Sequence, residues 1–254
     1  MNSCTQKCLA PLRRTSSPHR SLNPQHTYNN PVKYIDPSGH YLEQACGFGG
    51  GDCPIYKPAI VSREEWGAHA PGTFGNQTPS APKYEGHFNE KEDGYKPYEG
   101  NLDDIYYRIT LHHEGDDETH NVLLVQEGEM NEGFYDIGYH FIIGRDGTIY
   151  QGRDIGVRGN HAYPNTGNLG ILWLGDFNPG YDASDPRYGE VDPNDDPGPT
   201  TKQYNATVDL IAWLDQEYGI DELYGHRNVP GGFSTTCPGD NAMSYIEQLK
   251  LIIQ

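Results

Sequence analysis

The sequence predicts an α/β protein with a mixed central β-sheet flanked by helices. Two patterns support this class: short segments of alternating or continuous apolar residues, and longer segments with apolar residues at helical spacing. The two patterns interleave along residues 59–254, as expected when helices cover the faces of a sheet. With 31 glycines and 19 prolines in 254 residues, many loops are also expected.

Strand patterns occur in four segments: residues 106–112, 139–143, 148–151 and 169–175. The first alternates, which places Ile109 and Leu111 on one face. The second and third flank Asp146-Gly147, a dipeptide that favours a hairpin. The fourth is almost entirely apolar, which predicts a central strand covered on both faces.

Three segments are predicted to be helical. Thr200 and Gln203 have the spacing of a capping box, and apolar residues follow at helical spacing as far as Tyr218. A last helix is predicted from about Asn241, and an earlier one over Thr119–Met130. Strands and helices therefore interleave along the chain, which indicates the α/β class with a mixed sheet.

Charge divides the chain into two parts. The net charge of the whole chain is −18. Residues 1–60 contain 6 basic and 3 acidic side chains, whereas residues 61–254 contain 12 basic and 33 acidic ones. Nucleic-acid phosphates repel such a chain, so nucleic acid is not an expected partner. No segment approaches ~20 consecutive apolar residues, so no membrane span is expected.

The N-terminal part has three predicted sections. Residues 1–22 are predicted to be a disordered leader, without the apolar core of an ordinary signal peptide. Residues 23–41 read NPQHTYNNPVKYIDPSGHY and resemble the end of the core region of Rhs/YD-repeat proteins. In that family a variable C-terminal toxin domain follows directly. Residues 42–58 are predicted to be a glycine-rich linker to a domain over residues 59–254.

The five cysteines leave several possibilities open. Cys46 and Cys53 flank a glycine-rich segment, where they would form either a small disulfide loop or two free thiols. Cys237 has no evident partner, which allows a metal ligand, a nucleophile or a buried thiol.

Two acidic, turn-rich stretches, residues 84–104 and 176–198, are interpreted as solvated loops. The second also allows a Ca²⁺ loop, because Asp192, Asn194 and Asp196 alternate as oxygen ligands do. Prolines interrupt that pattern.

A candidate zinc site consists of His112, His226 and Cys237. Two imidazoles and a thiolate leave the fourth position of a tetrahedral zinc open, as in catalytic sites. Spacing alone does not select this set, because the chain contains 11 histidines.

Five blocks, in this order, connect the set to a family. They read SREEWGA (62–68), LHHEGD (111–116), DIGYHFIIGRDGTIYQGRD (136–154), GNHAYPNTGNLGILWLGDF (159–177) and GHRNVPGGFSTTCPGD (225–240). Together they resemble the zinc-dependent N-acetylmuramoyl-L-alanine amidases of type 2, which include the peptidoglycan recognition proteins. The resemblance covers about residues 59–254 and implies the α/β fold of that family.

The resemblance also implies roles for individual residues. His112, His226 and Cys237 match the family's zinc ligands, so Zn²⁺ is the expected cofactor. Tyr139 matches a tyrosine that orients the zinc water or the scissile carbonyl. Thr235 stands where relatives have Lys or Thr, and its hydroxyl can stabilise a developing oxyanion.

Three further residues are candidates for substrate binding: His161, His113 and Asn165. His161 matches a histidine of the family's substrate groove, although a surface-loop role is the alternative. His113 adjoins a predicted ligand, but strand alternation predicts that it points to the opposite face, in a supporting or structural role. His226 and Cys237 are 11 positions apart, somewhat more than is usual in the family, and Gly231 and Gly232 can form a turn that takes up the difference.

The implied function is hydrolysis of the bond between N-acetylmuramic acid and L-alanine in peptidoglycan. The Rhs-like segment adds the expectation of an antibacterial toxin, secreted or delivered to the periplasm or cell wall of a target bacterium. A cognate immunity protein is then an expected partner, and the chain is expected to be a monomer. The alternatives are a non-catalytic peptidoglycan-binding module, a housekeeping or phage-type amidase, and a passive plug of an Rhs shell.

Overall fold

A computed structural model of the chain describes residues 55–75, 95–115, 121–178 and 198–253. Several predictions lie outside these ranges: the leader, the Rhs-like segment, most of the linker with Cys46 and Cys53, and the Ca²⁺ loop alternative. In the described part, no helix is long and apolar enough to cross a bilayer.

The centre of the fold is a six-stranded mixed sheet, as predicted. Its strands are β1 (Ile60–Val61), β2 (Arg108–His113), β3 (Phe141–Ile143), β4 (Ile149–Gln151), β5 (Asn168–Trp173) and β6 (Glu222–Gly225). The order across the sheet is β1-β4-β3-β5-β2-β6. Among the described strands, β3 and β4 form the antiparallel pair, and the other neighbours are parallel.

The predicted strands are confirmed with small shifts of their ends. The antiparallel pair β3–β4 surrounds Asp146-Gly147, and Gly147 has a φ of +86° that suits a glycine. Strand β5 lies between β3 and β2, and all six of its residues are buried. Its apolar side chains enter separate clusters on the two faces, so it is covered on both sides, as its continuous apolar pattern predicts.

The described fold has three α-helices, α1 (Val122–Asn131), α2 (Thr201–Tyr218) and α3 (Asp240–Leu249), and two 3-10 helices, Leu102–Asp104 and His226–Asn228. The predicted capping box of α2 is present, because the Thr200 side chain accepts from the Gln203 N–H and the Gln203 side chain accepts from the Thr200 N–H. Helix α1 begins later than the predicted Thr119, with Asn121 as its N-cap.

The core has a large and a small part. The large cluster joins Ile109 and Leu111 of β2 to apolar residues of α2 and α3. The small cluster lies on the opposite face and includes Ile142, Leu172 and Val122. On β2, Thr110 and His112 alternate with the large-cluster residues, so His112 projects from the face opposite α2 and α3.

Two strands were not predicted, because both are very short and neither flanks a hairpin dipeptide, as β3 and β4 do. Strand β1 has two residues, and β6 has four with every second one buried. Ile55, in the predicted linker, packs against the large cluster, and Lys57 Nζ lies 4.9 Å from the Trp213 ring centroid. Packing against the core therefore includes Ile55, four residues before the predicted boundary at residue 59.

Candidate metal centre

The pairing of β2 with β6 brings the two predicted histidine ligands together. Leu111 is paired with Gly225 in the parallel ladder, and the next residue of each chain segment is a histidine. His112 and His226 therefore leave the same end of adjacent strands, and their ring centroids are 4.5 Å apart.

Cys237 reaches the histidines through a loop that folds back on itself. A turn over residues 229–232 shortens the loop: Gly232 N–H donates to Val229 O at 2.9 Å, and Gly231 has a φ of +76°. Arg227 then ties the end of the loop to the strand, because its backbone N–H donates to Cys237 O at 2.9 Å. Its guanidinium also contacts Asp240 and the Thr236 carbonyl.

The three groups fit a tetrahedral zinc ion. The ligand atoms of His112, His226 and Cys237 all lie within 4.8 Å of one another. Cys237 Sγ is 3.5 Å from His112 Nδ1, and tetrahedral zinc with ordinary Zn–S and Zn–N bonds would separate such atoms by about 3.6 Å. His112 is buried, whereas His226 and Cys237 are partly accessible, which leaves one side of the site open.

Cys237 is a free thiol whose environment disfavours a bare thiolate. Burial raises its pKa to about 12, although the His113 backbone N–H and the charge of Arg227 act in the opposite direction. A cation that replaces the thiol proton would remove this cost, since zinc is bound by the thiolate.

Tyr139 lies against the histidines. Its ring centroid is 5.0 Å from that of His112 and 6.0 Å from that of His161. Burial, and after it the negative charge of Glu129, raises the pKa of Tyr139 well above its usual value. The hydroxyl therefore keeps its proton at neutral pH and can donate a hydrogen bond.

A buried carboxylate anchors the loop that carries Tyr139. Asp136 Oδ1 accepts from Arg63 Nη2 at 3.0 Å, from Gln126 Nε2 at 2.7 Å and from the Ile137 N–H at 2.9 Å. Asp136 was not singled out as a site residue from the sequence. The blocks SREEWGA and DIGYHF both contain members of this network, and that co-occurrence is the signal that could have revealed it.

Thr235 lies two residues before Cys237, and its hydroxyl oxygen accepts from the Cys237 N–H at 3.1 Å. This bond uses the oxygen as an acceptor, so the hydroxyl proton can still be donated. The structure thus places the predicted oxyanion donor in the same loop as the thiolate ligand.

The three predicted substrate-binding residues are all buried. His161 packs behind His112, and Asn165 Oδ1 accepts from the His161 N–H at 2.8 Å. His113 points to the other face, as strand alternation predicts: it accepts from the Phe177 N–H at 3.1 Å and lies 3.4 Å from an Asp176 oxygen. Direct contact of these residues with a substrate stays a prediction.

Two exposed aromatic residues, which sequence reasoning did not single out, lie in the chain segments that carry His161 and Cys237. Tyr163 follows His161 in the chain and Phe233 precedes Cys237, and their ring centroids are 5.5 Å apart. This contact joins the loop that carries His161 to the loop that carries Cys237.

Comparison with known proteins gives one family. The model of the N-acetylmuramoyl-L-alanine amidase family matches residues 104–240, which are 137 of the 254 residues. These residues contain every predicted site residue.

Individual relatives are similar over just under half of this chain. It is 34% identical to peptidoglycan-recognition protein SD of Drosophila melanogaster over 116 residues, 45% of this chain and 53% of that protein. It is 30% identical to peptidoglycan recognition protein 1 of Mus musculus over 132 residues, 48% of this chain and 60% of that protein. The chain thus spans between half and two thirds of the length of these relatives.

A solved structure, Drosophila PGRP-LB wild-type, is similar in fold. It aligns with a TM-score of 0.51 and 25% sequence identity, and the alignment covers 74% of this chain and 92% of that one. The mixed sheet and its helices are therefore the fold of this group of proteins.

Proposed function

Because this chain belongs to the N-acetylmuramoyl-L-alanine amidase family, we propose that it hydrolyses the amide bond between N-acetylmuramic acid and L-alanine in peptidoglycan, with zinc as cofactor. One observation carries the proposal: the ligand atoms of His112, in β2, and of His226 and Cys237, in a distant part of the chain, converge within 4.8 Å. This is the ligand composition of catalytic zinc sites, which leave one position open.

In the proposed mechanism the protein holds and orients the reacting groups. The chemistry that zinc supplies at such a site is Lewis-acid polarisation of the carbonyl and activation of water. Tyr139 keeps its hydroxyl proton and donates it in a hydrogen bond to the carbonyl oxygen as negative charge develops there. Thr235 offers a second donor from the loop of Cys237. Arg227 holds that loop against the strand end that carries His226.

Replacement of one ligand tests the proposal. Cys237→Ala should abolish the release of stem peptides from purified sacculi and lower the zinc content of the purified protein. The matched control is His69→Ala, because His69 pairs with Glu127 and is not one of the three ligand residues. Full activity of Cys237→Ala with unchanged zinc content would refute the assignment.

A binding module without catalysis is the second candidate function. It is favoured by the names of the relatives, which are called recognition proteins. The two functions differ in a single measurement: a binding module would retain sacculi in a pull-down assay without releasing stem peptides, even when zinc is supplied. Cys237 and Tyr139 together favour the enzyme.

We further propose that the amidase acts as a toxin domain delivered to the periplasm or cell wall of a rival bacterium, with a cognate immunity protein. The support is the Rhs-like stretch over residues 23–41, which lies outside the described residues. Export of residues 55–254 to the periplasm of a host without the immunity protein should lyse the cells, whereas the Cys237→Ala version should not. Survival despite confirmed export of an active enzyme would contradict the toxin role.

A further inference from the structure

The ring of His161 lies directly behind His112, in a space that the backbone leaves open for it. His161 Nδ1 is 3.0 Å from His112 Nε2, and the two rings are nearly perpendicular at 85°. A Cβ atom at Gly170, in the middle of β5, would lie 2.4 Å from His161 Cδ2, and one at Gly159 would lie 2.6 Å from it. Glycine at both positions is therefore a condition for this placement.

The hydrogen bonds fix the protons on both rings. His161 Nε2 is 3.1 Å from the Asn168 carbonyl oxygen, which can only accept, so Nε2 carries a proton. In the neutral ring, Nδ1 then carries none and accepts from His112 Nε2. His112 therefore carries no proton on Nδ1, and this nitrogen lies 3.5 Å from Cys237 Sγ.

The hydrogen bonds from His112 to His161 and from His161 to Asn168 form a relay. The Asn168 end of this relay is anchored to the strand that carries His112. Asn168 Oδ1 accepts from the Thr110 hydroxyl at 2.9 Å, and Thr110 is on the same face of β2, two residues before His112. Asn165 holds the other side of the relay, since its side-chain oxygen accepts from the His161 backbone N–H. His161 is thus fixed at its ring and at its backbone by buried polar groups.

We infer that His161 is a positioning residue, which holds His112 in the tautomer and orientation that bind a metal through Nδ1. The inference rests on the proposed function for the identity of the metal, zinc. His161 is only 3% exposed, and both of its ring nitrogens are used inside the protein. Such outer partners of metal-bound histidines fix the tautomer and set affinity.

Two variants at position 161 test this role through metal affinity, without an activity assay. His161→Leu removes the acceptor, and zinc affinity, measured by competition with a chromogenic chelator, should fall by about 10–100-fold. His161→Asn places an oxygen acceptor where Nδ1 stood and should recover most of that loss. The matched control is His69→Leu, which should bind zinc as the unaltered protein does, because His69 is not one of the three ligand residues.

A third variant moves the His161 ring without replacing His112, His161 or Asn168. Gly170→Ala should displace the His161 ring and weaken zinc binding in the same direction as His161→Leu. Cobalt-substituted samples of each folded variant should show altered visible absorption bands, because the orientation of His112 at the metal changes. A merely structural role for His161 would lower thermal stability and leave the cobalt bands and the zinc affinity unchanged.

The unaltered protein provides a test that does not depend on the folding of any variant. Two-bond ¹H–¹⁵N correlation spectra of the full chain should show the His112 proton on Nε2 and the His161 proton on Nε2. A proton on His112 Nδ1 in the metal-free protein would overturn the inference, as would unchanged zinc affinity in folded His161→Leu. If the unaltered chain binds no zinc, the proposed function fails instead.

Discussion

At the scale of single residues, the interior beside the site is unusually polar for a core. His112, His140, His161 and Asn168 are all buried, and each is hydrogen-bonded inside the protein. Buried polar groups are costly unless they are paired, so their arrangement is tightly constrained. For the same reason, the addition of a second ring proton to these buried histidines should lower the stability of the folded protein.

His140 gives a prediction about pH. Its Nε2 lies 3.0 Å from the Val157 carbonyl oxygen, and its Nδ1 accepts from the Gly170 N–H at 3.0 Å, so a second ring proton would meet a donor. Burial lowers the pKa of His140 from 6.5 to about 3. Between these pH values the unfolded chain binds a proton that the folded protein does not, so the unfolding free energy falls as pH falls, by about 1.4 kcal/mol per pH unit.

Removal of this histidine should therefore flatten the pH dependence. Urea unfolding of metal-free His140→Gln at pH 7, 6, 5 and 4 should show a smaller loss of stability per pH unit than the parent protein. Tyr106→Phe is the control, because it removes a hydroxyl neighbour of His140 that does not titrate between pH 4 and pH 7. Equal slopes for His140→Gln and the parent would contradict the assignment.

Tyr139 gives a prediction about catalysis. Tyr139→Phe keeps the ring against His112 and removes the hydroxyl donor, so kcat should fall by about 10²–10³-fold, the range for one oxyanion donor. Zinc content should not change. Tyr150→Phe, in the same small cluster, is the control and should retain kcat. An unchanged kcat for Tyr139→Phe would remove the tyrosine from the mechanism.

At the scale of elements, the long segments and the hairpin at Asp146-Gly147 were predictable, and the short strands without such a turn signal were not. The pattern of residues 169–175 is strong enough to identify a buried central strand, and Thr200 with Gln203 identifies the start of a helix. Strand β6 has four residues, too few for a period to be recognised, and its identity depends on tertiary pairing with β2.

The site also has one part that was predictable from the sequence and one part that depends on tertiary contacts. His112, His226 and Cys237 were identified from motif blocks, and no periodicity selects them from 11 histidines and five cysteines. The role inferred for His161 was missed, because burial behind another histidine depends on Gly170 in β5 and Gly159 in the preceding loop. Sequence spacing carries no information on such a contact between segments.

The capping box of α2 gives a prediction at this scale. Thr200 accepts from the Gln203 N–H at 3.0 Å and donates to the Arg145 carbonyl at 2.7 Å, which joins the helix to the β3–β4 turn. Thr200→Ala should lower the unfolding free energy by about 1 kcal/mol in chemical denaturation. Thr200→Ser should lose much less, and Thr201→Ala, on an exposed first-turn position, serves as a further control. A Thr200→Ala loss no larger than that of Thr201→Ala would exclude a capping role.

At the scale of the whole molecule, the candidate metal centre connects distant parts of the chain. His112 lies near the C-terminal end of β2, His226 follows β6, and Cys237 precedes α3. A metal bound at these three positions should therefore stabilise the folded state as a whole, since the unfolded chain does not hold the ligands together.

Thermal unfolding tests this expectation. Zinc at about 100 times its dissociation constant should add roughly 2.7 kcal/mol to the unfolding free energy, and a chelator should remove that gain. Cys237→Ala should show a much smaller difference between zinc and chelator. Identical melting temperatures of the parent protein under both conditions would contradict zinc binding by the native fold.

The parallel pairing of β2 with β6 also has a kinetic consequence. The ladder partners Leu111 and Gly225 are separated by most of the described chain, and loop-closure entropy makes such contacts slow to form. The adjoining histidines cannot meet before this pairing is in place. Metal uptake would then mark a late step of folding, and a chain that crosses a membrane unfolded would carry no assembled site until it folds on the far side.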